Sequence, residues 1–243
     1  MSLLEVAGLS RRFGGLVAVD GCSFTVAEGG VTGLIGPNGS GKTTIFNLVT
    51  GFLRPDAGQV LLRSRPITGL APDRVHRRGV GRTFQLARIF PRLSVLENLL
   101  VPVRRAGPLA LLGGWRPAAE VRRARERLEL LGLDRLAAEP AGQLSYGQRK
   151  LLELGAVLMS EPSLVLLDEP ASGVSPAMLD TIASLIRALC DQGVTFLVVE
   201  HNMGFVMALC HTLVVMDRGR TIATGRPADV RADPAVLDAY LGA

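Results

Sequence analysis

Lysine is scarce in this 243-residue sequence, where Lys42 and Lys150 stand against twenty-five arginines. Because arginine supplies nearly all of the positive charge, position 42 is expected to need a property that arginine lacks. Lys42 lies in the stretch "GPNGSGKTT", beside three glycines. This stretch is therefore the first place to look for a specific function.

Long apolar runs, a basic leader and paired cysteines are also missing. No window reaches the roughly 18 uninterrupted apolar residues of a membrane span, and the start "MSLLEVAGLS" does not match a secretion signal. Cys22, Cys190 and Cys210 lack metal-ligand spacing and lie in apolar surroundings, so we expect small buried side chains. These features predict a cytoplasmic protein.

Acidic residues are nearly absent from residues 63–92, which hold eight arginines and the single acid Asp73. With a net charge of +5, such a patch could follow a phosphate backbone. The arginines are not regularly interleaved with stacking aromatic side chains, and most charge runs are solvated surfaces. We therefore do not expect nucleic acid to be a partner.

Apolar strand-like runs alternate with helical patterns along the chain. The runs "VTGLIG", "SLVLLD", "VTFLVVE" and "TLVVMD" are continuously apolar, as in parallel strands covered on both faces. Residues 176–192 have helical spacing between Pro176 and Gly193, which predicts a crossover helix. The sequence before Gly30 and around "QVLLRSRPI" predicts antiparallel strands, and an Arg/Glu-rich pattern within residues 99–144 predicts a helical insert. The predicted fold class is therefore α/β.

The stretch "GPNGSGKT", residues 36–43, has the spacing of a phosphate-binding loop and lies between a predicted strand and a predicted helix. Glycines let several backbone amides converge on phosphate oxygens, and the following helix adds its positive end. A compact ammonium reaches between the β- and γ-phosphates where a guanidinium is broader, which explains Lys42. Thr43 would place its hydroxyl on Mg²⁺. A plain glycine-rich turn explains neither Lys42 nor Thr43.

Two acids, Asp168 and Glu169, end the apolar stretch "SLVLLDEP". Charge at the end of a buried strand is unfavourable unless a cation or a reacting group meets it. We therefore assign Asp168 to Mg²⁺ and Glu169 to the water that attacks the γ-phosphate. Two solvated acids at a strand edge would be the alternative without a phosphate loop.

The stretch "QLSYGQRKLLELGAVL" predicts a helix with a capping box, because Gln148 follows Ser145 by three residues. Gly147 weakens the first turn but exposes backbone amides. Taken alone, these residues fit either simple capping or a second anion site.

Together these stretches resemble the ATP-binding subunits of ABC transporters over essentially the whole chain. In that family "GPNGSGKTT" is the Walker A motif, "LVLLDEP" the Walker B motif and "LSYGQ" the signature motif, usually LSGGQ. The resemblance implies ATP and Mg²⁺ as cofactors and a P-loop NTPase core with a flanking antiparallel β-subdomain, residues 1–85 and 160–243. It also implies a helical subdomain at residues 86–159.

The resemblance also assigns roles position by position. Gln85 in "RTFQ" corresponds to the glutamine that contacts Mg²⁺ and the membrane subunit, His201 to the switch histidine, and Phe13 to the aromatic that stacks on adenine. The implied catalytic residues are Lys42, Gln85, Glu169 and His201. The implied metal ligands are Thr43, Gln85 and Asp168. The implied nucleotide-binding residues are Phe13, Gly36, Pro37, Asn38, Gly39, Ser40, Gly41, Lys42, Thr43, Thr44, Ser145, Gly147 and Gln148.

Each of the weaker assignments has a structural alternative, and two positions depart from the family pattern. Phe13 could be a core residue, Gln85 a surface residue and His201 a structural residue, although their order along the chain favours function. Tyr146 stands where the signature motif has glycine, so an added ring can alter dimer packing. Ser175 stands where many members have aspartate. Serine can still cap the following helix, but it cannot make the acidic contact across the dimer that aspartate makes in those members.

The segment "GRTFQLARIFPRLSVLENLL" and the ending "DAYLGA" resemble ATPase subunits of importers for branched-chain and other hydrophobic amino acids, or for urea and amides. The resemblance implies ATP hydrolysis that drives a permease at the inner face of the cell membrane. The implied partners are a second ATPase subunit, permease subunits and, indirectly, a solute-binding protein. In the family, Ser145 and Gly147 of one subunit meet the nucleotide held by Lys42 of the other.

Several alternatives remain at this stage. The ATPase of lipopolysaccharide export has a similar ending. ABC-type ATPases that act on DNA would suit the basic patch, but the sequence has no long coiled-coil insertion. A small-molecule phosphotransferase would not need the signature motif, and a regulator without hydrolysis would not need Glu169 and His201.

The segment "RTFQLARIFPRLSVLENLL", which contains Gln85, also predicts a docking surface. Its apolar residues are Leu86, Ile89, Phe90 and Leu93, and its arginines are Arg82, Arg88 and Arg92. An apolar groove rimmed by arginines would receive a cytoplasmic helix of the permease. The alternative is an ordinary core segment with a solvated edge.

Overall fold

Two β-sheets with helices packed on them form the described part of this computed structural model, residues 2–103 and 118–241. The strands are β1 (Ser2–Phe13), β2 (Leu16–Ala27), β3 (Val31–Ile35), β4 (Ala57–Leu62), β5 (Arg65–Pro66), β6 (Val80–Arg82), β7 (Leu164–Asp168), β8 (Thr195–Val199), β9 (Thr212–Asp217) and β10 (Arg220–Gly225). Residues 104–117, part of the predicted helical insert, lie outside the described residues, as do the last two residues of "DAYLGA".

The four continuous apolar runs form the parallel sheet, as predicted. Its strand order is β10-β9-β3-β8-β7-β6, and every neighbouring pair is parallel except β10 with β9. The second sheet has the order β2-β1-β4-β5 and is antiparallel, which confirms the prediction made from the alternating segments.

Helices connect the strands and cover the sheet. They are α1 (Lys42–Val49), α2 (Pro72–Arg77), α3 (Val95–Leu100), α4 (Ala118–Leu130), α5 (Tyr146–Leu158), α6 (Pro176–Asp191), α7 (Met203–Leu209), α8 (Pro227–Arg231) and α9 (Pro234–Leu241). The predicted crossover helix is α6, and Ser175 caps it by accepting a hydrogen bond from the Met178 amide. Within the described residues, no helix is long and apolar enough to cross a bilayer.

Alternate residues of the parallel strands face two separate cores. Leu164 and Leu166 of β7 pack with α1 and the antiparallel sheet, whereas Val165 and Leu167 pack with α5 and α6. Because both faces are covered, the strands need apolar residues at every position. Their carboxyl ends meet at one edge, where the loops after β3, β7 and β8 lie side by side.

The cysteines behave as the sequence predicts for small apolar side chains. Cys22 and Cys210 are buried and Cys190 is half-buried, and all three are free thiols. Burial raises the pKa of Cys210 to about 12 and that of Cys190 to about 11. These thiols therefore stay protonated and unreactive near neutral pH.

Candidate active site

The phosphate-binding loop joins β3 to α1, and its glycines are required by close backbone contacts. Gly36 has φ 147°, and a Cβ there would lie 2.0 Å from the Met216 carbonyl oxygen. Gly41 has φ 101°, and its Cβ would lie 2.5 Å from the Ala18 carbonyl oxygen. Only glycine fits both positions, so the loop conformation is fixed by β9 and β2.

Lys42 is the first residue of α1, and its ammonium lies inside the loop. Nζ donates hydrogen bonds to the carbonyl oxygens of Gly36 and Pro37, both at 2.8 Å, and to Ser40 Oγ at 3.3 Å. Burial lowers the pKa of Lys42, and the charge of Glu169 opposes this shift. The loop carbonyls thus hold the cation beside the place where the sequence predicts phosphate.

The other predicted loop residues differ in exposure. Asn38, Gly39 and Thr43 are exposed, Pro37 and Thr44 are half-buried, and Ser40 is buried. The exposed residues line the open side of the loop. The Thr43 hydroxyl is therefore accessible to a metal ion.

Asp168 lies at the end of β7 in a buried ion pair that the sequence did not predict. Its Oδ2 accepts a hydrogen bond from the Arg82 guanidinium at 3.0 Å, and the two side chains are 9% and 7% exposed. Arg82 also donates to Asn47 Oδ1 at 2.7 Å and Thr50 Oγ1 at 3.1 Å, both on or next to α1. Arg82 is therefore a buried counter-ion of Asp168, a role that was not predicted from the sequence.

Glu169, Gln85 and His201 come together beyond the ends of β7 and β8. Gln85 Nε2 donates to Glu169 Oε2 at 2.9 Å, and His201 Nδ1 lies 3.9 Å from Glu169 Oε1. The His201 side chain is 64% exposed, whereas that of Glu169 is 25% exposed. The structure thus places these three predicted residues in one cluster.

Glu200 is a second buried acid at this edge, and no role was predicted for it from the sequence. Its carboxylate accepts hydrogen bonds from the backbone amides of Ala171 at 2.5 Å, His201 at 2.9 Å and Asn202 at 3.0 Å. The side chain is fully buried. Glu200 therefore fixes the loop after β7 relative to the loop that carries His201.

Helix α5 begins at the predicted signature motif and has the predicted capping box. Ser145 Oγ accepts from the Gln148 amide at 3.3 Å, and Gln148 Oε1 accepts from the Ser145 amide at 2.9 Å. In the described part of the chain, these two side chains hydrogen-bond only to each other's backbone, and Gly147 is buried. The three signature residues are therefore not joined to the phosphate loop of their own subunit.

Two further side chains of α5, those of Tyr146 and Lys150, contact the loops of the site. The Tyr146 hydroxyl donates to the Gln85 carbonyl oxygen at 3.3 Å. Lys150 Nζ donates to the carbonyl oxygens of Glu169 at 2.5 Å and Pro170 at 3.4 Å. The sequence had singled out Tyr146 only as a departure from the family pattern, and it had assigned no role to Lys150.

Glu153 of α5 is buried beneath the loop that carries Gln85. Its Oε1 accepts hydrogen bonds from the amides of Phe84 at 3.2 Å and Arg88 at 3.1 Å, and the residue is 5% exposed. Burial raises the pKa of Glu153 to about 7, although the two amides and the charges of Lys150 and Arg88 oppose the shift. The two backbone amides that donate these hydrogen bonds belong to residues on either side of Gln85 in the sequence.

Phe13 ends β1 and is 42% exposed, with the Arg11 guanidinium 5.0 Å from its ring centre. The β1–β2 hairpin is fixed beside the phosphate loop, because the Ala18 carbonyl of β2 lies against Gly41. An exposed ring at this position is available to stack on a flat ligand.

The predicted Mg²⁺ ligands fit the ion by type. Thr43 and Gln85 are exposed and Asp168 offers a carboxylate, and Mg²⁺ takes one or two carboxylates together with phosphate and water oxygens. Among the described residues, no group of three or more His, Cys, Asp or Glu side chains could hold a metal on its own. The donors therefore suit an ion that arrives with phosphates.

The segment after Gln85 is partly exposed. Leu86 is 75% and Phe90 53% exposed, while Ile89 is half-buried against the helical core. The Arg88 guanidinium lies 3.6 Å from the centre of the Phe84 ring. An apolar surface is thus present beside Arg88, and Arg82, Arg88, Ile89 and Phe90 line one cavity there.

The arginine-rich patch is not a uniform cationic surface. Three of its eight arginines are in ion pairs: Arg63 with Glu28, Arg77 with Asp73, and Arg82 with Asp168. These pairs reduce the charge that is free to contact a phosphate backbone.

A phosphate-binding loop between a parallel strand and a helix, with one acid ending another strand of the same sheet and a second acid directly after it, defines a P-loop NTPase. A family model described as ABC transporter matches residues 19–172, and one described as branched-chain amino acid ATP-binding cassette transporter matches residues 220–243. The chain therefore belongs to the ABC transporter ATP-binding family, and it is an ATPase of that family.

Full-length relatives and solved structures agree with this assignment. The high-affinity branched-chain amino acid transport ATP-binding protein BraF of Pseudomonas aeruginosa is 41% identical, with 99% of this chain and 98% of that protein covered. The probable branched-chain amino acid transport ATP-binding protein LivG of Methanocaldococcus jannaschii is 39% identical, with 100% and 98% covered. A crystal structure of the ADP conformation of an ABC transporter's ATP-binding cassette is 38% identical and superposes with a TM-score of 0.90, covering both chains fully.

We predict that Glu153 makes stability depend on pH. Because burial raises the folded pKa of Glu153 to about 7, from an ordinary value of 4.5, the native state loses stability as pH rises from 4.5 to 7. Glu153→Gln, which resembles the protonated acid, should remove on the order of 2 kcal/mol of this loss between pH 5 and 7. Urea unfolding of parent and variant at both pH values tests this, and equal pH slopes would contradict it.

Proposed function

We propose that this chain is the ATP-hydrolysing subunit of an importer for branched-chain or related hydrophobic amino acids. The observation that carries the proposal is the identity of about two residues in five, over whole chains, with proteins named for branched-chain amino acid transport. The match of residues 220–243 to a branched-chain amino acid transporter family supports the same solute class. As the family resemblance implies, other subunits would bind and select the solute.

The site supports a direct attack of water on ATP. Lys42 would release the carbonyls of Gly36 and Pro37 and bind the β- and γ-phosphates, with the α1 amides as further donors. Glu169 would take the proton of the attacking water, and the bond from the γ-phosphorus to the bridging oxygen would break to give ADP and phosphate. Gln85 and His201, which flank the Glu169 carboxylate, would orient the water and the γ-phosphate.

Thr43, Gln85 and Asp168 would hold the Mg²⁺ that accompanies the nucleotide. When bound, the ion neutralises negative charge on the phosphate oxygens. Asp168 accepts from Arg82 through Oδ2, so the ion pair fixes the carboxylate, and Oδ1 would be the oxygen that remains for the ion. Phe13 would stack on the adenine ring.

We further propose that two subunits complete the site. Ser145, Gly147 and Gln148 have no hydrogen bond to their own phosphate loop in the described residues, so they are free to meet the nucleotide of a second subunit. The Tyr146 ring packs within its own subunit, since a Cβ at Gly173 would lie 3.0 Å from Cε1 of the ring. Tyr146 therefore need not obstruct that approach.

The exposed surface formed by Leu86 and Phe90 would receive the permease, and the protein would then lie at the inner face of the membrane. Gln85 precedes this surface directly and hydrogen-bonds Glu169, so movement at the nucleotide can reach the permease. Residues 86–159 would act as a helical subdomain against a core of residues 1–85 and 160–243. A solute-binding protein would be an indirect partner on the other side.

We predict that Glu169→Gln keeps ATP affinity but lowers turnover by about 100-fold or more, because the proton acceptor is lost. The variant should accumulate an ATP-dependent dimer, measured by size-exclusion chromatography with light scattering. Glu161→Gln, the same change at an exposed acid, is the control. If Glu169→Gln stays monomeric and keeps the parental turnover, another residue acts as the base.

We predict that Leu86→Asp retains ATP affinity but loses permease association, because a charge replaces an exposed apolar contact. Leu237→Asp places the same charge on α9, at a leucine that is 47% exposed, and should leave association intact. The measurement is recovery of coexpressed permease subunits with each tagged ATPase. Equal recovery with both variants would exclude this surface as the docking site.

A further inference from the structure

The second lysine of the chain, Lys150, contacts the backbone of Glu169, the proposed catalytic base, rather than its carboxylate. We propose that Lys150 is a positioning residue for hydrolysis, which holds the Glu169 backbone so that its carboxylate reaches Gln85. This inference rests on the proposed role of Glu169. It assigns a function to a residue in the body of α5, five positions after Ser145.

The contacts of Lys150 are short and buried. The residue is 8% exposed, and Nζ donates to the Glu169 carbonyl oxygen at 2.5 Å and to the Pro170 carbonyl oxygen at 3.4 Å. An ammonium carries three donors and can bind two neighbouring carbonyls at once. Lys150 therefore holds two consecutive peptide groups of the loop after β7.

Glu169 has a backbone conformation that needs such support. Its φ is 49°, in the left-handed region that residues other than glycine rarely adopt. Its amide donates to the Val199 carbonyl at 2.9 Å, so β8 holds one side of the residue while Lys150 holds the other. Unfavourable backbone angles persist only where the surroundings impose them, and they cluster at functional sites.

The same face of α5 also holds the partner of Glu169. Tyr146, Lys150 and Glu153 follow one another at helical spacing of four and three residues, which places them on one side of the helix. Tyr146 donates to the Gln85 carbonyl, and Glu153 accepts from amides on both sides of Gln85. One helix face thus positions both ends of the hydrogen bond between Gln85 and Glu169.

The carboxylates around Lys150 favour the ammonium form, whereas its burial opposes that form. Burial lowers the pKa of Lys150, but four carboxylates oppose that shift: Glu200, Glu153, Glu169 and Asp168. The Tyr146 ring centre also lies 5.3 Å from Nζ. The ammonium therefore joins α5 electrostatically to the acidic edge of the sheet as well as by hydrogen bonds.

The test compares Lys150→Met with Arg149→Met, its neighbour on α5. Arg149 also donates to a backbone carbonyl, that of Gly142 at 2.7 Å, but it does not contact Glu169. Lys150→Met should lower turnover about 10- to 100-fold, because small misplacement of a catalytic group is costly. Its affinity for a fluorescent ATP analogue, and the turnover of Arg149→Met, should stay within about threefold of the parent.

A double-mutant cycle separates positioning of Glu169 from general structural damage. When Lys150→Met is added to Glu169→Gln, the single-turnover rate should fall by less than about twofold below that of Glu169→Gln alone. The effects of two residues that act through one another on this rate are not additive. A further loss equal to that of the single variant would overturn the inference. Lys150→Gln, which keeps a hydrogen-bond donor, should retain more turnover than Lys150→Met. If the methionine variant does not fold, the same measurements are made on Lys150→Gln.

Two other outcomes are distinguishable. If Lys150→Met hydrolyses ATP at the parental rate while Glu169→Gln does not, the inference about Lys150 is wrong and the role of Glu169 stands. If Glu169→Gln itself hydrolyses ATP at the parental rate, the proposed role of Glu169 is wrong, and the inference falls with it.

Discussion

Burying a charge without a partner costs several kcal/mol, and charged side chains lie buried along the edge of the parallel sheet that carries this site. Asp168 meets the Arg82 guanidinium, Glu200 accepts three backbone amides, and Lys150 donates to two backbone carbonyls. Each charge is satisfied by a different chain segment. The loops around the nucleotide are consequently fixed relative to one another before ATP binds.

This pairing joins elements that are distant in sequence. Arg82 connects β6 with Asp168 on β7 and with Asn47 on α1, while Glu200 connects the ends of β7 and β8. The same connections bring Gln85 to Glu169. A change at the nucleotide can therefore reach the loop after Gln85 through hydrogen bonds already present, which is what coupling to a permease requires.

The sequence allowed prediction of features that depend on local pattern. Continuous apolar runs indicated the strands of the parallel sheet, and the spacing of Ser145 and Gln148 indicated the cap of α5. The ion pair of Arg82 with Asp168 and the role of Glu200 were not predicted, because the partners of a buried charge are set by tertiary contacts that no local pattern records. The rarity of lysine was a usable signal for Lys150 as much as for Lys42.

The central claim is that position 42 needs a compact ammonium to bind phosphate inside a loop whose carbonyls hold it beforehand. The most direct test is equilibrium titration of Mg-ATP against the parent, Lys42→Ala and Lys42→Arg. The account predicts that both variants bind at least about tenfold more weakly, since each loses a charged hydrogen bond that a planar guanidinium does not restore. Parental affinity in Lys42→Arg would contradict it.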